Sequence, residues 1–250
     1  MSTVIKIILF TGLSFLMTSC RFNIDGDSIF FDERISGNGK VISKEINING
    51  SFDGIRASTG WEVELAPAET QKITAETDEN LFEALDIYVR NNTLYVTTRE
   101  GYNVGRSSSR TIYVNYLGPL EKLRSSSGSQ ISSSQPIKSK SLELRTSSGA
   151  NIDVWVEARN IKAKASSGSH LEVAGLCEEI DTDGSSGAVI DARKLKSESA
   201  TAEASSGSQV SLWASEKISN RASSGGTIYY YGEPTQVKNA KVVSGNVIKK

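Results

Sequence analysis

The segments "KAKASSGSHLEV" (Lys162–Val173) and "TAEASSGSQVSL" (Thr201–Leu212) have nearly the same sequence, with the triplet Ser-Ser-Gly at the centre of each. The triplet recurs about every 20 residues and ends at Gly128, Gly149, Gly168, Gly187, Gly207 and Gly225. Two looser copies, "ASTG" and "VVSG", end at Gly60 and Gly245. A period of this length is typical of a solenoid, in which each repeat forms one coil and packs only on its neighbours.

Apolar and polar residues alternate on both sides of each triplet. The third residue after the glycine is apolar in every copy, from Val63 in the first to Ile248 in the last. The fourth residue before the glycine is charged in every Ser-Ser-Gly copy: Arg124, Arg145, Lys164, Asp183, Glu203 and Arg221. Alternation with a period of two predicts half-buried strands. We therefore predict an all-β fold, a right-handed parallel β-helix or β-solenoid with coils of about 20 residues, preceded by a less regular β region.

The Ser-Ser-Gly triplet itself is predicted to be a corner of the coil. Glycine can adopt the positive φ that a sharp turn needs, and serine hydroxyls can bond backbone groups that the turn leaves free. A nucleophilic role for these serines is not supported, because the sequence has no G-x-S-x-G elbow. His170 is the only histidine and cannot serve six copies. We expect His170 to be one more polar surface residue.

The first residues predict export. Lys6 precedes the apolar run "IILFTGLSFLM", and "TSC" ends at Cys20. This end resembles the lipobox of bacterial lipoproteins, although Met17 stands where that pattern prefers Leu. The resemblance implies a signal peptide over residues 1–19 and lipid attachment at Cys20. Ordinary secretion with cleavage nearby is the alternative. The predicted location is the bacterial cell envelope, with the outer membrane favoured and the periplasmic or surface side left open.

The rest of the chain divides into a tether over residues 20–38 and a single β domain over residues 39–250. Within that domain we predict an irregular part at 39–119 and the solenoid repeats at 120–250. The irregular part should contain a hairpin turn at Asn91-Asn92, a short helix over Asp78–Leu85 capped by Asp78, and a flexible loop over Gly101–Arg110.

The segments "GKVISKEINING", "FDGIRASTGWEVEL" and "TDENLFEALDIYVRNNTLYVTT", followed by glycine-marked repeats, resemble the head GIN domain family of auto-transporter adhesins. The resemblance covers about residues 39–247 and rests on the order and spacing of these motifs. It implies an all-β fold with a solenoid-like body, of a kind common in exported lipoproteins of Bacteroidetes-type bacteria. It carries over no catalytic or binding residues.

The composition bounds the functional classes. The formal net charge of −1 lacks the basic excess that nucleic-acid binding requires, so no nucleic-acid partner is predicted. Cys20 and Cys177 are the only cysteines, which leaves no cysteine cluster for a metal. Asp181, Asp183 and Asp191 do not follow the nonapeptide of calcium-binding β-rolls. We predict no cofactor and no metal site.

A catalytic alternative rests on three acidic residues. Asp153, Glu172 and Asp191 each lie four residues after a repeat glycine, in consecutive copies. Neighbouring carboxyl groups in such a column would lie about 5 Å apart and alternate ones about 10 Å apart, a range that includes glycosidase separations. This would make the chain a polysaccharide lyase or hydrolase. Against this, regularly spaced surface charges also keep a solenoid soluble.

Aromatic residues provide the candidate binding site. Trp155, Trp213 and Tyr231 each lie six residues after a repeat glycine, and Tyr229 lies nearby. If this column faces outward, its rings could stack on sugars; alternatively, they cover a corner or cap the last coil.

We therefore predict a non-catalytic cell-envelope lipoprotein that serves as an adhesin or binding module. Its partners would be the membrane, through the lipid anchor, and glycans or cell-surface proteins. A carbohydrate-active enzyme and a purely structural envelope component are the alternatives.

Overall fold

The computed structural model describes residues 33–240 and 244–250, so the predicted signal peptide, Cys20 and most of the tether lie outside the described residues. The structure is 65% strand and 2% helix. Its strands are β1 (Glu33–Ile35), β2 (Val41–Glu45), β3 (Gly54–Ala57), β4 (Glu62–Pro67), β5 (Lys72–Asp78), β6 (Leu85–Arg90), β7 (Thr93–Thr98), β8 (Tyr102–Val104), β9 (Arg110–Tyr116), β10 (Lys122–Ser125), β11 (Gln130–Ser133), β12 (Ile137–Thr146), β13 (Asn151–Ala165), β14 (His170–Gly184), β15 (Val189–Ala204), β16 (Gln209–Ala222), β17 (Thr227–Tyr231), β18 (Gln236–Asn239) and β19 (Asn246–Lys249).

The repeats form a β-solenoid of about seven turns, which confirms the predicted fold class. Equivalent residues of successive copies pair in parallel, as in Ile152 with Leu171 and Leu171 with Ile190. The parallel register continues toward the N-terminus, where β3 pairs with β10 and β4 pairs with β11. The copy that ends at Gly60 therefore stacks directly on the first Ser-Ser-Gly coil.

The apolar column that follows each glycine forms the predicted inward ladder. Val63, Ile131 and Ile152 are at most 1% exposed, and the members of the next coils are equally buried. The last copy departs from the prediction: Val247, not Ile248, pairs with Ile228, and Ile248 is 38% exposed. The register is shifted by one residue here: Asn246 directly follows its glycine, whereas its partner Thr227 is the second residue after Gly225.

Each Ser-Ser-Gly turn has two successive residues with positive φ, the second serine and the glycine, as in Ser148 (54°) and Gly149 (69°). The corner role of the triplet is thus confirmed. In three of the six copies, a hydroxyl that bonds to the turn belongs to the residue after the glycine; the other three have Ala150, Ala188 and Gly226 at that position. Ser169 Oγ accepts a hydrogen bond from the Ser166 N–H at 3.2 Å, and Ser208 Oγ accepts one from the Ser205 N–H at 3.0 Å.

The region before the repeats mixes parallel and antiparallel pairing. The hairpin turn at Asn91-Asn92 is confirmed, with φ values of 50° and 56° between the antiparallel strands β6 and β7. The predicted helix is a 3-10 helix over Glu79–Glu83. The predicted loop over Gly101–Arg110 contains β8, which pairs in parallel with β1.

Asp78 precedes the 3-10 helix but its side chain makes no capping hydrogen bond, which corrects the predicted role. Its buried carboxylate instead accepts hydrogen bonds from the N–H of Gly39 at 2.6 Å and the N–H of Ser108 at 2.7 Å. Asp78 thereby joins two loops that are distant in sequence. Within residues 33–240 and 244–250, no helix is long and apolar enough to cross a membrane.

Candidate functional site

The predicted aromatic column is divided between two ladders. Trp155 pairs with Ala174, whereas Trp213 pairs with Lys196 on one side and Tyr231 on the other. The cause is an irregularity in β15: Ala192 pairs with Leu212, but the next pair is Lys196 with Trp213. Residues 193–195 therefore have no counterpart in β16, and Trp155 lies in a different ladder from Trp213 and Tyr231.

Each of the two tryptophans lies over a glycine of the following coil. A Cβ at Gly175 would approach the Trp155 ring to 3.0 Å, and a Cβ at Gly232 would approach the Trp213 ring to the same distance. The rings thus cover two bends of the backbone. They differ in exposure, since Trp155 is 55% exposed whereas Trp213 is half-buried with Lys196 Nζ at 4.2 Å from its ring centroid.

The two tyrosines of the predicted site are half-buried and belong to the last full coil. Tyr231 pairs with Trp213, which places the two aromatic residues side by side. Tyr229 pairs with Ser211 on one side and Ile248 on the other, and the Lys250 Nζ lies 5.4 Å from its ring centroid. Tyr229 therefore lies on the ladder of the acidic residues rather than beside the tryptophans.

An open groove with a volume of about 740 Å³ runs along the corner at Trp213, and we call it the corner groove. Leu176, which is 58% exposed, and Trp213 give it two apolar contacts. The charged and polar residues that line it include Glu157, Arg159, Glu178, Lys196, Ser197 and Ser215. An apolar ring surrounded by hydrogen-bonding groups is the arrangement that binds a sugar, whose own faces are apolar and whose edges are polar.

Cys177 also lines the corner groove, and its thiol is unreactive. Burial, together with the nearby Glu179 and Glu198 carboxylates, raises the pKa of Cys177 to about 12. A thiol with so high a pKa is protonated at neutral pH and is a poor nucleophile or metal ligand.

The three acidic residues of the catalytic alternative do form one column. Asp153 pairs with Glu172 and Glu172 pairs with Asp191. Two of the three carboxylates are neutralised by cations of the irregular segment in β15: Lys194 Nζ donates to Glu172 Oε1 at 2.9 Å, and Arg193 donates to both oxygens of Asp191.

The ion pair fixes the protonation state of Asp191. Burial alone would raise the pKa of this carboxyl, but the hydrogen bonds and charge of Arg193 hold the pKa below its usual range. A general acid for glycoside cleavage needs the opposite shift. The position of His170 agrees with its predicted surface role, because its side chain is exposed.

The calcium alternative also finds no support in these side chains. Asp183 forms a salt bridge with Lys164 at 3.1 Å, and Asp191 is bound by Arg193. Across the described ranges 33–240 and 244–250, no three His, Cys, Asp or Glu side chains lie close enough to hold a metal ion.

A basic surface emerges only in the structure, because strand pairing adds Arg56, from the irregular part of the domain, to the charged column of the repeats. We call it the basic row: Arg56, Arg124, Arg145 and Lys164. These residues pair successively across β3, β10, β12 and β13, with their charged groups on the outside of the coils. The sequence does carry a signal for this surface: the fourth residue before the repeat glycine is basic in Arg124, Arg145 and Lys164 and becomes acidic at Asp183.

Comparisons with known proteins agree with this fold. Residues 51–234 match the model of the family described as "Putative auto-transporter adhesin, head GIN domain". No curated protein matches the chain at a significant level. A solved "putative adhesin" from Bacteroides fragilis NCTC 9343 is 16% identical, with a TM-score of 0.79 over 86% of this chain and 100% of that chain.

Two further solved structures are similar. A "putative lipid binding protein" from Parabacteroides distasonis ATCC 8503 is 20% identical, with a TM-score of 0.69 over 87% of this chain and 100% of that chain. A "putative adhesin" from Parabacteroides merdae ATCC 43184 is 19% identical, with a TM-score of 0.69 over 87% of this chain and 99% of that chain. At these identities the likeness concerns the fold alone.

Proposed function

Because the chain belongs to the head GIN domain family of auto-transporter adhesins, we propose that it is a non-catalytic adhesion module that binds glycans in its corner groove. Membership of an adhesin family indicates an exported protein of the cell envelope. Lipid attachment at Cys20 is part of the proposal and rests on the sequence around that residue.

The corner groove carries the glycan proposal. It offers the half-buried ring of Trp213, over which the Lys196 ammonium lies, and the exposed side chain of Leu176 beside carboxylate and hydroxyl groups. The groove is open rather than enclosed, which suits a sugar chain better than a single enclosed small molecule.

The non-catalytic part of the proposal rests on the acidic column. Glu172 and Asp191 are held by Lys194 and Arg193, and the lowered pKa of Asp191 opposes a role as general acid. A lipid tether at Cys20 would display many copies of the groove on one cell. Several weak sites acting together give strong attachment, which is what adhesion requires.

A glycan array tests this function. The soluble domain, residues 21–250, contains the complete compact unit of residues 32–250. We expect it to bind a subset of glycans, and we expect Trp213→Ala to weaken that binding by about fivefold, because one aromatic stacking contact contributes about 1 kcal/mol. Tyr113→Ala is the matched control, since Tyr113 is an exposed aromatic residue on β9 outside the groove.

Three outcomes would contradict the proposal. Equal losses for Trp213→Ala and Tyr113→Ala would remove the corner groove as the site. Binding to matrix proteins without any binding to glycans would assign the module another partner class. Absence of binding to glycans, matrix proteins and whole cells would favour a structural component of the envelope.

A further inference from the structure

One row of outward side chains crosses nine paired strands without a break. It begins with Tyr88 and Tyr95 on β6 and β7, whose rings stack at 4.9 Å. Arg56 pairs with Tyr95 and lies over its ring at 5.9 Å. The basic row continues from there, and Asp183, Glu203 and Arg221 complete the line on β14, β15 and β16. Four cations, Arg56, Arg124, Arg145 and Lys164, thus follow one another without interruption between the tyrosines and Asp183.

The cations line a groove of their own. It has a volume of about 400 Å³ and lies between the basic row and the serines that begin each turn, among them Ser126, Ser147 and Ser166. Arg124, Arg145 and Lys164 each share this groove with a serine of the same coil. Because coils repeat at the strand spacing, these pairs recur about every 4.8 Å.

The acidic groups near the row leave it with positive charge in excess. Glu143 accepts a hydrogen bond from Arg124 Nη2 at 3.1 Å and also contacts Arg145. Asp183 pairs with Lys164 at 3.1 Å. Two carboxylates thus face four cations. The Nε of Arg124 is buried and has no hydrogen-bond partner among the residues that the structure describes, so this guanidinium is incompletely satisfied.

We propose that the basic row binds an anionic polysaccharide, with successive carboxylate or sulfate groups of the ligand contacting Arg56, Arg124, Arg145 and Lys164. A guanidinium binds a carboxylate or a sulfate through paired hydrogen bonds. A linear array of evenly spaced cations matches a chain that carries acidic groups at regular intervals better than it matches one small anion. The serine hydroxyls would bond to the sugar hydroxyls beside each acidic group.

This site is independent of the corner groove. The basic row lies on the strand segments before each Ser-Ser-Gly turn, whereas Trp155 and Trp213 lie on the segments after it. The proposal therefore does not rest on binding at Trp213. A variant in one groove should leave binding in the other unchanged.

Binding of the soluble domain to immobilised polygalacturonate, dextran sulfate and neutral dextran tests the proposal. We expect binding to one or both acidic polymers, weakened by added salt, and none to neutral dextran. The double variant Arg124→Gln/Arg145→Gln should bind about tenfold or more weakly, because two charge-assisted contacts are lost. Arg221→Gln is the matched control, since Arg221 continues the same column beyond the groove.

The variant Glu143→Gln should change the affinity for the acidic polymers in the opposite direction. It removes the carboxylate that competes for Arg124 and Arg145, so binding of the acidic polymers should strengthen by several-fold, about as expected for one released charge-assisted contact. A gain of binding cannot arise from misfolding, and the unfolding temperature of each variant separates folding from binding.

The proposal is overturned if Arg221→Gln weakens binding as much as the double variant, or if Glu143→Gln leaves it unchanged. It is also overturned if single-stranded DNA of equal charge binds as tightly as the acidic polysaccharides, because the surface would then recognise charge without regard to sugar.

Discussion

The backbone N–H of Gly149 donates a hydrogen bond to the carbonyl of Ser167, in the equivalent turn of the next coil, at 3.1 Å. The same bond joins the other Ser-Ser-Gly turns to their neighbours, as in Gly168 to Ser186 at 3.0 Å. The turns therefore stack on one another through backbone hydrogen bonds. The Ser-Ser-Gly triplet repeats because each coil needs this turn conformation, and its serines have a structural role.

Two glycines near these turns should respond differently to the same substitution. A Cβ at Gly149 would have nothing within 4 Å, so Gly149→Ala should cost only about 1 kcal/mol, the strain of a positive φ. At Gly226 the carbonyl of Ala204 occupies the space that a Cβ would need. Gly226→Ala should therefore destabilise by about 3 kcal/mol or more. Chemical denaturation of both variants measures the difference, and equal losses would contradict the explanation.

A charged side chain in the inward ladder should greatly lower the free energy of unfolding. Ile152→Asp and Ile190→Asp place a carboxylate at fully buried positions between two coils. Each should destabilise by more than about 3 kcal/mol, because a buried charge without a partner is strongly unfavourable. Lys164→Ala, in an outward column, should change the free energy of unfolding by less than about 0.5 kcal/mol. A small effect of Ile152→Asp on the unfolding temperature would show that this ladder is not the core.

Asp78 should make the fold sensitive to acid. Burial acts to raise the pKa of this carboxyl, but hydrogen bonds from the backbone of Ser108 and Gly39 outweigh it, so the pKa in the folded state is lowered. The unfolded state then binds the proton more tightly, and stability falls as the pH drops through the folded pKa, below about 4.

Asp78→Asn should cost about 1–3 kcal/mol at neutral pH, because an amide cannot accept from both N–H groups with the same strength. The deficit relative to the native chain should shrink as the pH falls below about 4. Unfolding temperatures between pH 3 and pH 7 measure it, with Asp86→Asn on β6 as the control. A deficit that stays constant with pH would contradict the assigned role of the carboxylate.

Cys20→Ala should release the full-length protein from membranes without changing its unfolding temperature. The compact unit begins at residue 32, twelve positions after Cys20 in the sequence. Fractionation of cells that express either form gives the answer. A variant that stays with the membrane fraction would show that attachment does not depend on this cysteine.

The sequence predicted those features that depend on one coil alone. Alternation around each triplet was enough to place Ile152 and Ile190 inside and the column of Arg145 outside. It could not show that residues 193–195 lack partners in β16, because such a shift depends on how two coils pair. For that reason the sequence wrongly aligned Trp155 with Trp213 and Tyr231.

The sequence placed Arg124, Arg145 and Lys164 in one charged column, but it could not show the full basic row, for a related reason. Arg56 and Tyr95 precede the Ser-Ser-Gly repeats, and only strand pairing brings them beside Arg124. Asp78 was assigned to the nearest helix, yet its partners Gly39 and Ser108 come from distant loops. Surfaces and contacts built from several coils thus required the structure.

In the proposed function, this solenoid binds a glycan without cleaving it. The most direct measurement is the chain length of a polysaccharide after prolonged incubation with the soluble domain, under conditions in which binding is established. We predict an unchanged size distribution for the native chain and for the variants Asp153→Asn and Glu172→Gln alike. Shortened chains that appear with the native protein and are absent with Asp153→Asn or Glu172→Gln would contradict the claim and identify an enzyme.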